Sequence, residues 1–291
     1  MLKKIKYSIL ESLSYLSDET YLSLLYTIAH RRRLNLKEPQ RFSEKIQYYK
    51  IHYRNSLMLS LTDKYEVRKY VSEMIGEEYL NELYQICNCA KNIDFDILPE
   101  KFVIKTTDGG NGDNVLICHN KNILDKNKTI KLIDSWKNKN YSSITREWAY
   151  GNSESRIIIE RYLEPSEDNK DRGLEDYKFL CFNGKCKYFW VDTDRFTEHK
   201  RAWFDSQCNF LSNVKNSYPI ATNIVLPKNT NKMIELAEKL SSLFPFARVD
   251  FYNIKEKIVF GEITFYPHSG FERFFPDSFD YILGKNFVIN F

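Results

Sequence analysis

Apolar positions recur every three to four residues through the first quarter of the chain and every second residue further on. Ile5, Ile9, Leu13 and Leu16 keep helical spacing. Asp18 stands where a cap would open a helix carrying Leu22, Leu25 and Ile28, and Ser43 where one would open a helix through Tyr53. Asp63, with Glu66 three residues on, forms a capping-box pattern ahead of Val67, Tyr70, Val71 and Met74. Residues 1 to about 75 are therefore expected to be helices on short loops. From about residue 101 the pattern changes. Phe102-Val103-Ile104 predicts a strand, with residues 114–119 as its partner. Residues 125–139 suit a helix with Ile130, Ile133 and Trp136, and Arg156 to Leu163 a strand. Residues 164–176 read as a loop, 206–227 as irregular and 231–243 as a helix. Tyr177 to Phe182 and Lys185 to Val191 flank Asn183-Gly184, the dipeptide preferred in tight hairpins. Strand runs with helices set between them indicate an α+β fold.

The last strand pair carries the most chemistry. Ala247 to Ile254 and Ile258 to Phe265 alternate around Lys255-Glu256-Lys257. With those three residues as the loop, Ile254 faces Ile258, Asp250 faces Glu262 and Arg248 faces Thr264. Val249, Phe251, Ile263 and Phe265 take the opposite face and go to a core. Opposed carboxylates repel, so something positive is expected between them. A hard divalent cation with oxygen ligands fits, and Arg248 beside it suits a phosphate.

Composition narrows the class. The 291 residues include 20 Tyr and 20 Phe but only 10 Gly and 8 Pro, which excludes disordered and fibrous chains. With 43 basic and 39 acidic residues, charge gives no reason to expect nucleic acid. The six cysteines (87, 89, 118, 181, 186 and 208) form no C-x-x-C pair, as expected of free thiols in a reducing cytoplasm. No run of 18 apolar residues predicts a membrane span, and Glu11 interrupts any signal-peptide core. The basic end at Lys3, Lys4 and Lys6 is compatible with a peripheral role at a membrane surface.

Three further segments carry candidate chemistry. Lys105 leads directly into a loop with Gly109, Gly110 and Gly112, where backbone amides can approach a phosphate; neither Walker nor dinucleotide spacing is met. Ile157-Ile158-Ile159-Glu160-Arg161-Tyr162-Leu163 leaves a core and ends polar, as a nucleobase-reading edge does. Asp192-x-Asp194 resembles the metal-diphosphate motif of glycosyltransferases, while Arg195, Lys200 and Arg201 could offset charge on a transferring phosphoryl group. No G-x-S-x-G or Ser-His-Asp pattern is present.

Taken in order, these pieces resemble an ATP-grasp ligase of the TupA-like branch, named for teichuronopeptide biosynthesis and met among surface-polysaccharide genes. The resemblance rests on Asn35-Leu36-Lys37-x-Pro39-x-Arg41-Phe42-x-Glu44-Lys45, Thr62-Asp63-Lys64-Tyr65-Glu66-Val67-Arg68, the Lys105 glycine loop, Ile159-Glu160-x-Tyr162-Leu163 and Asp176-Tyr177-Lys178-Phe179-x-Cys181-Phe182-Asn183-Gly184. Asp192-x-Asp194-Arg195-Phe196, Pro245-Phe246-x-Arg248-Val249-Asp250-Phe251-Tyr252 and Gly261-Glu262-x-Thr264-Phe265-x-Pro267 complete it. The resemblance implies an ATP held between two α+β subdomains: a lid at about 101–160 and a catalytic part at about 161–291, within an ATP-grasp domain at 76–291 that follows the helical region 1–75. It implies that Lys64 and Lys105 contact ATP, that Gly109, Gly110 and Gly112 cover the phosphates, and that Glu160, Arg161, Tyr162 and Leu163 hold adenine. Asp176 would take the ribose and Lys178 would sit near the phosphates. Asp250 and Glu262 would ligate Mg²⁺, and Arg248 would steady the γ-phosphoryl. Many ATP-grasp enzymes carry Asn where this chain has Thr264, a poorer metal ligand. The implied reaction joins a carboxylate, on a uronic acid or surface polysaccharide, to an amine in the cytoplasm. The alternative is a glycosyltransferase built on Asp192 and Asp194.

Overall fold

The computed structural model describes residues 10, 13, 15–108, 114–136, 144–150, 154–165, 173–195 and 197–289. Most of the helix expected from Ile5 to Leu16 lies outside them, as do Gly109, Gly110, Gly112 and Phe196. Among the described residues nine strands follow in chain order: β1 (Leu83–Cys87), β2 (Phe102–Thr106), β3 (Val115–Cys118), β4 (Ile157–Arg161), β5 (Asp176–Phe182), β6 (Lys185–Thr193), β7 (Lys200–Asp205), β8 (Phe246–Ile254) and β9 (Lys257–Thr264). The helices are α1 (Asp18–His30), α2 (Phe42–His52), α3 (Leu57–Leu61), α4 (Val67–Ile75), α5 (Lys126–Asp134), α6 (Thr230–Ser241) and α7 (Ser278–Asn286).

The chain forms two compact units, Met1–Asn55 with Tyr141–Trp148 and Pro165–Phe291, and Ser56–Asn140 with Ala149–Glu164. In the second unit an antiparallel sheet of order β1-β4-β2-β3 lies over a core of Phe95, Phe102, Ile104, Ile133, Trp136, Ile157 and Ile159. Strand β1 is absent from the sequence expectation. Its Leu-Tyr-Gln-Ile-Cys pattern is short and only partly buried. The capping box expected ahead of α4 does not form: the cap position is Glu66, without a side-chain bond, while Asp63 Oδ1 accepts from the amides of Tyr65 (2.8 Å) and Glu66 (2.9 Å) in the turn before the helix.

In the first unit a fully antiparallel sheet has the order β7-β6-β5-β8-β9. Alternation divides its two faces. Phe179, Phe189, Phe204, Val249, Phe251 and Ile263 form one face, where α6 packs with Met233, Leu236, Ala237 and Leu240. The other face is polar at its centre and apolar at one end, where Phe182 and Phe246 meet Phe42 of α2. Asn183 and Gly184, at φ 47° and 73°, make the two-residue turn their identities predict.

Two further capping expectations change. Ser17, not Asp18, caps α1. At α2 the cap position is Arg41, and Glu44 reaches back to the amides of Gln40 (2.9 Å) and Arg41 (3.0 Å). Ser43 is already helical, and its hydroxyl donates to Asp280 of α7 at 2.6 Å.

The last hairpin reaches the expected register by another route. Its turn has two residues, Lys255 and Glu256 at φ 51° and 66°, so Ile254 faces Lys257 rather than Ile258. A β-bulge between Asp250 and Phe251 then shifts the register by one. Gly261 is the surplus residue; a Cβ there would sit 3.1 Å from the Asp250 carbonyl. Beyond the bulge Asp250 faces Glu262 and Arg248 faces Thr264, as alternation predicts.

Candidate active site

Strand register sets charged residues side by side across the polar face of the five-stranded sheet. One row runs Arg201, Asp192, Asp176 and Tyr252; the next runs Trp203, Trp190, Lys178, Asp250 and Glu262; a third holds Leu180, Arg248 and Thr264. These residues belong to five strands but to one face, because each lies two positions from its neighbour along the strand.

The positive group between the opposed acids is Arg248. Its Nε and Nη2 donate to Asp250 Oδ1 and Oδ2 at 2.7 and 2.8 Å, and Nη2 also reaches Glu262 Oε1. Nη2 donates to Thr264 Oγ1 at 3.0 Å, and Thr264 Oγ1 donates to Glu262 Oε1 at 3.0 Å. Lys178 Nζ contacts Asp250 Oδ2 and lies 2.6 Å from Asp176 Oδ2. Asp250 is 1% exposed. Burial pushes its carboxyl up to about 6 against the pull of Arg248 and Lys178. Burial also disfavours the charged forms of Lys178 and Arg248, but the acids around them outweigh it, and both pKa values rise.

Asp176 accepts from Arg195 Nη1 at 2.8 Å through Oδ2, while its buried Oδ1 makes no hydrogen bond. Asp192 is engaged on both oxygens. Arg201 donates to it from Nε at 2.6 Å and Nη2 at 3.0 Å, Trp190 Nε1 at 3.1 Å, and His199 Nε2 lies 3.1 Å away. The Arg201 guanidinium sits between the rings of Trp190 and Tyr218. These partners hold Asp192 low in pKa although burial alone would raise it. They leave it no oxygen for a metal diphosphate, so Asp192-x-Asp194 gives the transferase alternative no support. Lys200 pairs with Glu198 at 3.3 Å, and its place next to Arg201 puts it on the other face of β7.

In the second unit the predicted nucleotide residues of β2 and β4 meet. Lys105 Nζ donates to Glu160 Oε2 at 2.8 Å, and Arg68 Nη1 to Glu160 Oε1 at 3.2 Å. Lys64 is fixed to the end of β2 by its amide, which donates to the Thr107 carbonyl at 3.0 Å. Arg161 lies near Glu82 at 3.8 Å, and Tyr162 packs edge-on to His119. Leu163 follows at the strand's end. Arg68 was not anticipated; its place six residues after the Thr62-Asp63-Lys64 motif start is the signal that could have shown it.

A second unanticipated group is the turn Pro267–Gly270 after β9. His268, Ser269 and Gly270 all have positive φ, at 48°, 56° and 70°. Each non-glycine residue there costs about 1–2 kcal/mol. Helix α2 holds the turn. Lys50 Nζ donates to Ser269 O (2.8 Å), Ser269 Oγ (2.6 Å) and Thr145 O (3.1 Å), and Gln47 Nε2 to Ser269 O (2.9 Å). Lys50 is buried, and desolvation lowers its pKa to about 8. From α1, His30 Nε2 lies 3.2 Å from Gly270 O, and its ring stacks on Tyr26.

Burial lowers the His30 pKa to about 4. The unfolded chain therefore binds a proton between about pH 6.5 and 4 that the folded chain refuses. The stability from neutral His30 is present above pH 6.5 and is lost as pH falls through 4, on the order of 2 kcal/mol. Melting curves at pH 7 and pH 4.5 should show a smaller acid loss in His30→Gln than in the unaltered chain. Equal losses would assign acid sensitivity to other groups.

The acid pair offers only oxygen donors, the chemistry magnesium prefers, and magnesium commonly takes one or two carboxylates plus phosphate oxygens. Asp250, Glu262 and Thr264 fit that set, with the Arg248 guanidinium occupying the position of the positive charge. No cluster of three His, Cys, Asp or Glu residues suited to a metal occurs among the described residues. No helix among them is long and apolar enough to cross a membrane.

The model of the TupA-like ATPgrasp family matches residues 44–288. No curated protein is matched. The D-alanine–D-alanine ligase of Helicobacter pylori is 17% identical, with a TM-score of 0.47 over 84% of this chain and 67% of its own. That of Bacillus anthracis is 18% identical, with a TM-score of 0.42 over 70% of this chain and 57% of its own. The ATP-grasp ligase PsnB, solved with a precursor variant, Mg and ADP, is 7% identical, with a TM-score of 0.41 over 77% and 58%. The chain thus spans somewhat over half the length of the Bacillus anthracis and PsnB structures.

Proposed function

The chain belongs to the TupA-like ATP-grasp family, and from that premise we propose that it is an ADP-forming carboxylate–amine ligase acting on a uronic acid or an acidic surface polysaccharide. The observation that carries the reading is the register of Arg248, Asp250, Glu262 and Thr264 on one sheet face. A substrate carboxylate oxygen attacks the γ-phosphorus of ATP, the bond to ADP breaks, and an acyl phosphate results. An amine then attacks the carbonyl carbon and phosphate leaves. Such chemistry needs positioned charge rather than a covalent nucleophile.

Arg248 offsets charge on the transferring phosphoryl group, and Lys178, anchored by Asp176 and Asp250, adds a second cation. Asp250 and Glu262, with Thr264, are the residues that would hold magnesium, which lends charge to the phosphate oxygens. The free Oδ1 of Asp176 suits a ribose hydroxyl. Lys64, Lys105 and the segment Glu160, Arg161, Tyr162 and Leu163 take the nucleotide, with Gly109, Gly110 and Gly112 over its phosphates. Arg195 orients Asp176. Arg201 is a supporting charge at the margin of the same sheet, whereas Lys200, on the other face of β7, is not.

Mass spectrometry of reactions containing Mg-ATP, a panel of uronates and a panel of amines tests the reading. The expected product is an amide with equimolar ADP and phosphate. AMP release, or consumption of a nucleotide sugar without ATP, would overturn it. Lys105→Ala should weaken Mg-ATP binding by about tenfold in calorimetry, because one charge-assisted contact is lost. Its ion pair with Glu160 is partly exposed, so melting without nucleotide should shift by less than about 1 kcal/mol. The reverse pattern would make Lys105 a structural residue.

A further inference from the structure

The ligase reading leaves one proton unassigned. An alkylamine is an ammonium ion at neutral pH, like the lysine side chain, and must lose a proton before its nitrogen can attack. The groups assigned to the transferring phosphoryl are already engaged: Arg248, Lys178 and Arg201 are cations, and Asp250 and Glu262 are bound to Arg248.

The strained turn supplies a candidate. His268 is left-handed and is followed by two further residues at positive φ, and it is these two that the helices hold, Ser269 through Lys50 and Gln47 and Gly270 through His30. Strain held in place by so many contacts marks a position whose geometry is used. The held turn carries the His268 imidazole beside Glu272. Its Nε2 lies 3.2 Å from Glu272 Oε2, and the two side chains are 31% and 7% exposed. A carboxylate at that distance from one ring nitrogen favours the tautomer protonated at Nε2, which leaves Nδ1 as the acceptor. Glu272 Oε1 in turn lies 3.5 Å from Nη1 of the buried Arg201. Trp190 links this pair to the phosphoryl site: it lines a small cavity together with His268 and Glu272, and the Arg248 guanidinium lies 5.7 Å from its ring centre.

Resting on the ligase reading, we propose that His268, backed by Glu272, is the general base that takes the proton of the amine substrate. One ammonium proton passes to Nδ1. The nitrogen lone pair forms the C–N bond as the C–O bond to phosphate breaks, the second surplus proton leaves with the phosphate, and His268 returns its own to solvent. Desolvation and the charges of Arg201, Arg248 and Lys178 lower the His268 pKa, while Asp192 opposes them. An acyl phosphate against Arg248 and Lys178 cancels part of that depression and moves the imidazole toward the working range of a base.

The test compares two nucleophiles with the uronate that the product screen selects. Ethanolamine is protonated at neutral pH, whereas hydroxylamine is largely unprotonated and needs no base. Asn tolerates the left-handed conformation, so His268→Asn keeps the turn. Ethanolamide formation should fall on the order of 100-fold in His268→Asn. Hydroxamate formation should stay within about twofold, since the acyl phosphate still forms. The ethanolamine rate of the variant should climb with pH as free amine accumulates. Glu272→Gln should lower the same rate by about tenfold, again sparing hydroxamate. If both products fall together in both variants, His268 only shapes the turn; if neither falls, it has no part in the reaction. Absence of hydroxamate in the unaltered enzyme would instead overturn the ligase reading.

Discussion

Asp250→Asn is expected to abolish ADP formation, by at least about 10³-fold, and to lower stability at the same time. Asp250 lies at the centre of the charge network, accepting both Arg248 donors and Lys178. An amide keeps the shape but not the charge, and two buried cations lose their shared counter-ion. Breaking a buried pair this way costs about 3 kcal/mol. Glu262→Gln should remove turnover to a similar extent with little loss of stability, because Glu262 is 41% exposed and Arg248 retains Asp250. A coupled ADP assay beside thermal melting separates the two. Full turnover in both variants would withdraw these acids from the magnesium site. Equal destabilisation would mean that the pair is a structural unit.

Gly284→Ala should destabilise strongly, against what helix propensity predicts. In the interior of an exposed helix this change gains close to 1 kcal/mol. Here α7 lies against the start of α2, and the added Cβ would sit 2.0 Å from the Gln40 carbonyl oxygen and 2.9 Å from the Phe42 amide nitrogen. Backbone cannot rotate aside as a side chain does. The helices must separate, which loosens Lys45 from the carbonyls of Gly284 and Phe287 and Ser43 from Asp280. The loss should be about 3–5 kcal/mol, visible as a shift in urea midpoint. A neutral or stabilising result would show that α7 does not dock this closely.

The parts of the fold that could be read from sequence are those fixed by local backbone rules. Asn183-Gly184 dictates its turn, and alternation along β8 and β9 assigns Arg248, Asp250, Glu262 and Thr264 to one face. The charge partners of those residues could not be read in the same way. Register fixes Cβ separation, but long side chains choose partners by reach. The cation between the acids is therefore a residue of the same strand, two places from Asp250, and Lys178 comes from the next. Strand β1 was missed because its five residues neither alternate cleanly nor bury well. The Pro267–Gly270 turn was missed because nothing in Pro-His-Ser-Gly announces two left-handed residues. Its shape comes from Lys50, Gln47 and His30, more than 200 residues earlier in the chain.

The bulge at Gly261 has a practical outcome. It lies between the tip of the last hairpin and the carboxylates, so the pairing on the tip side is independent of the pairing on the other. The tip, Lys255-Glu256, is therefore a permissive point for inserting an epitope or a fluorophore-bearing peptide. A graft there would report on the protein while leaving the acids in step across the sheet, whereas one placed between Gly261 and Thr264 would not.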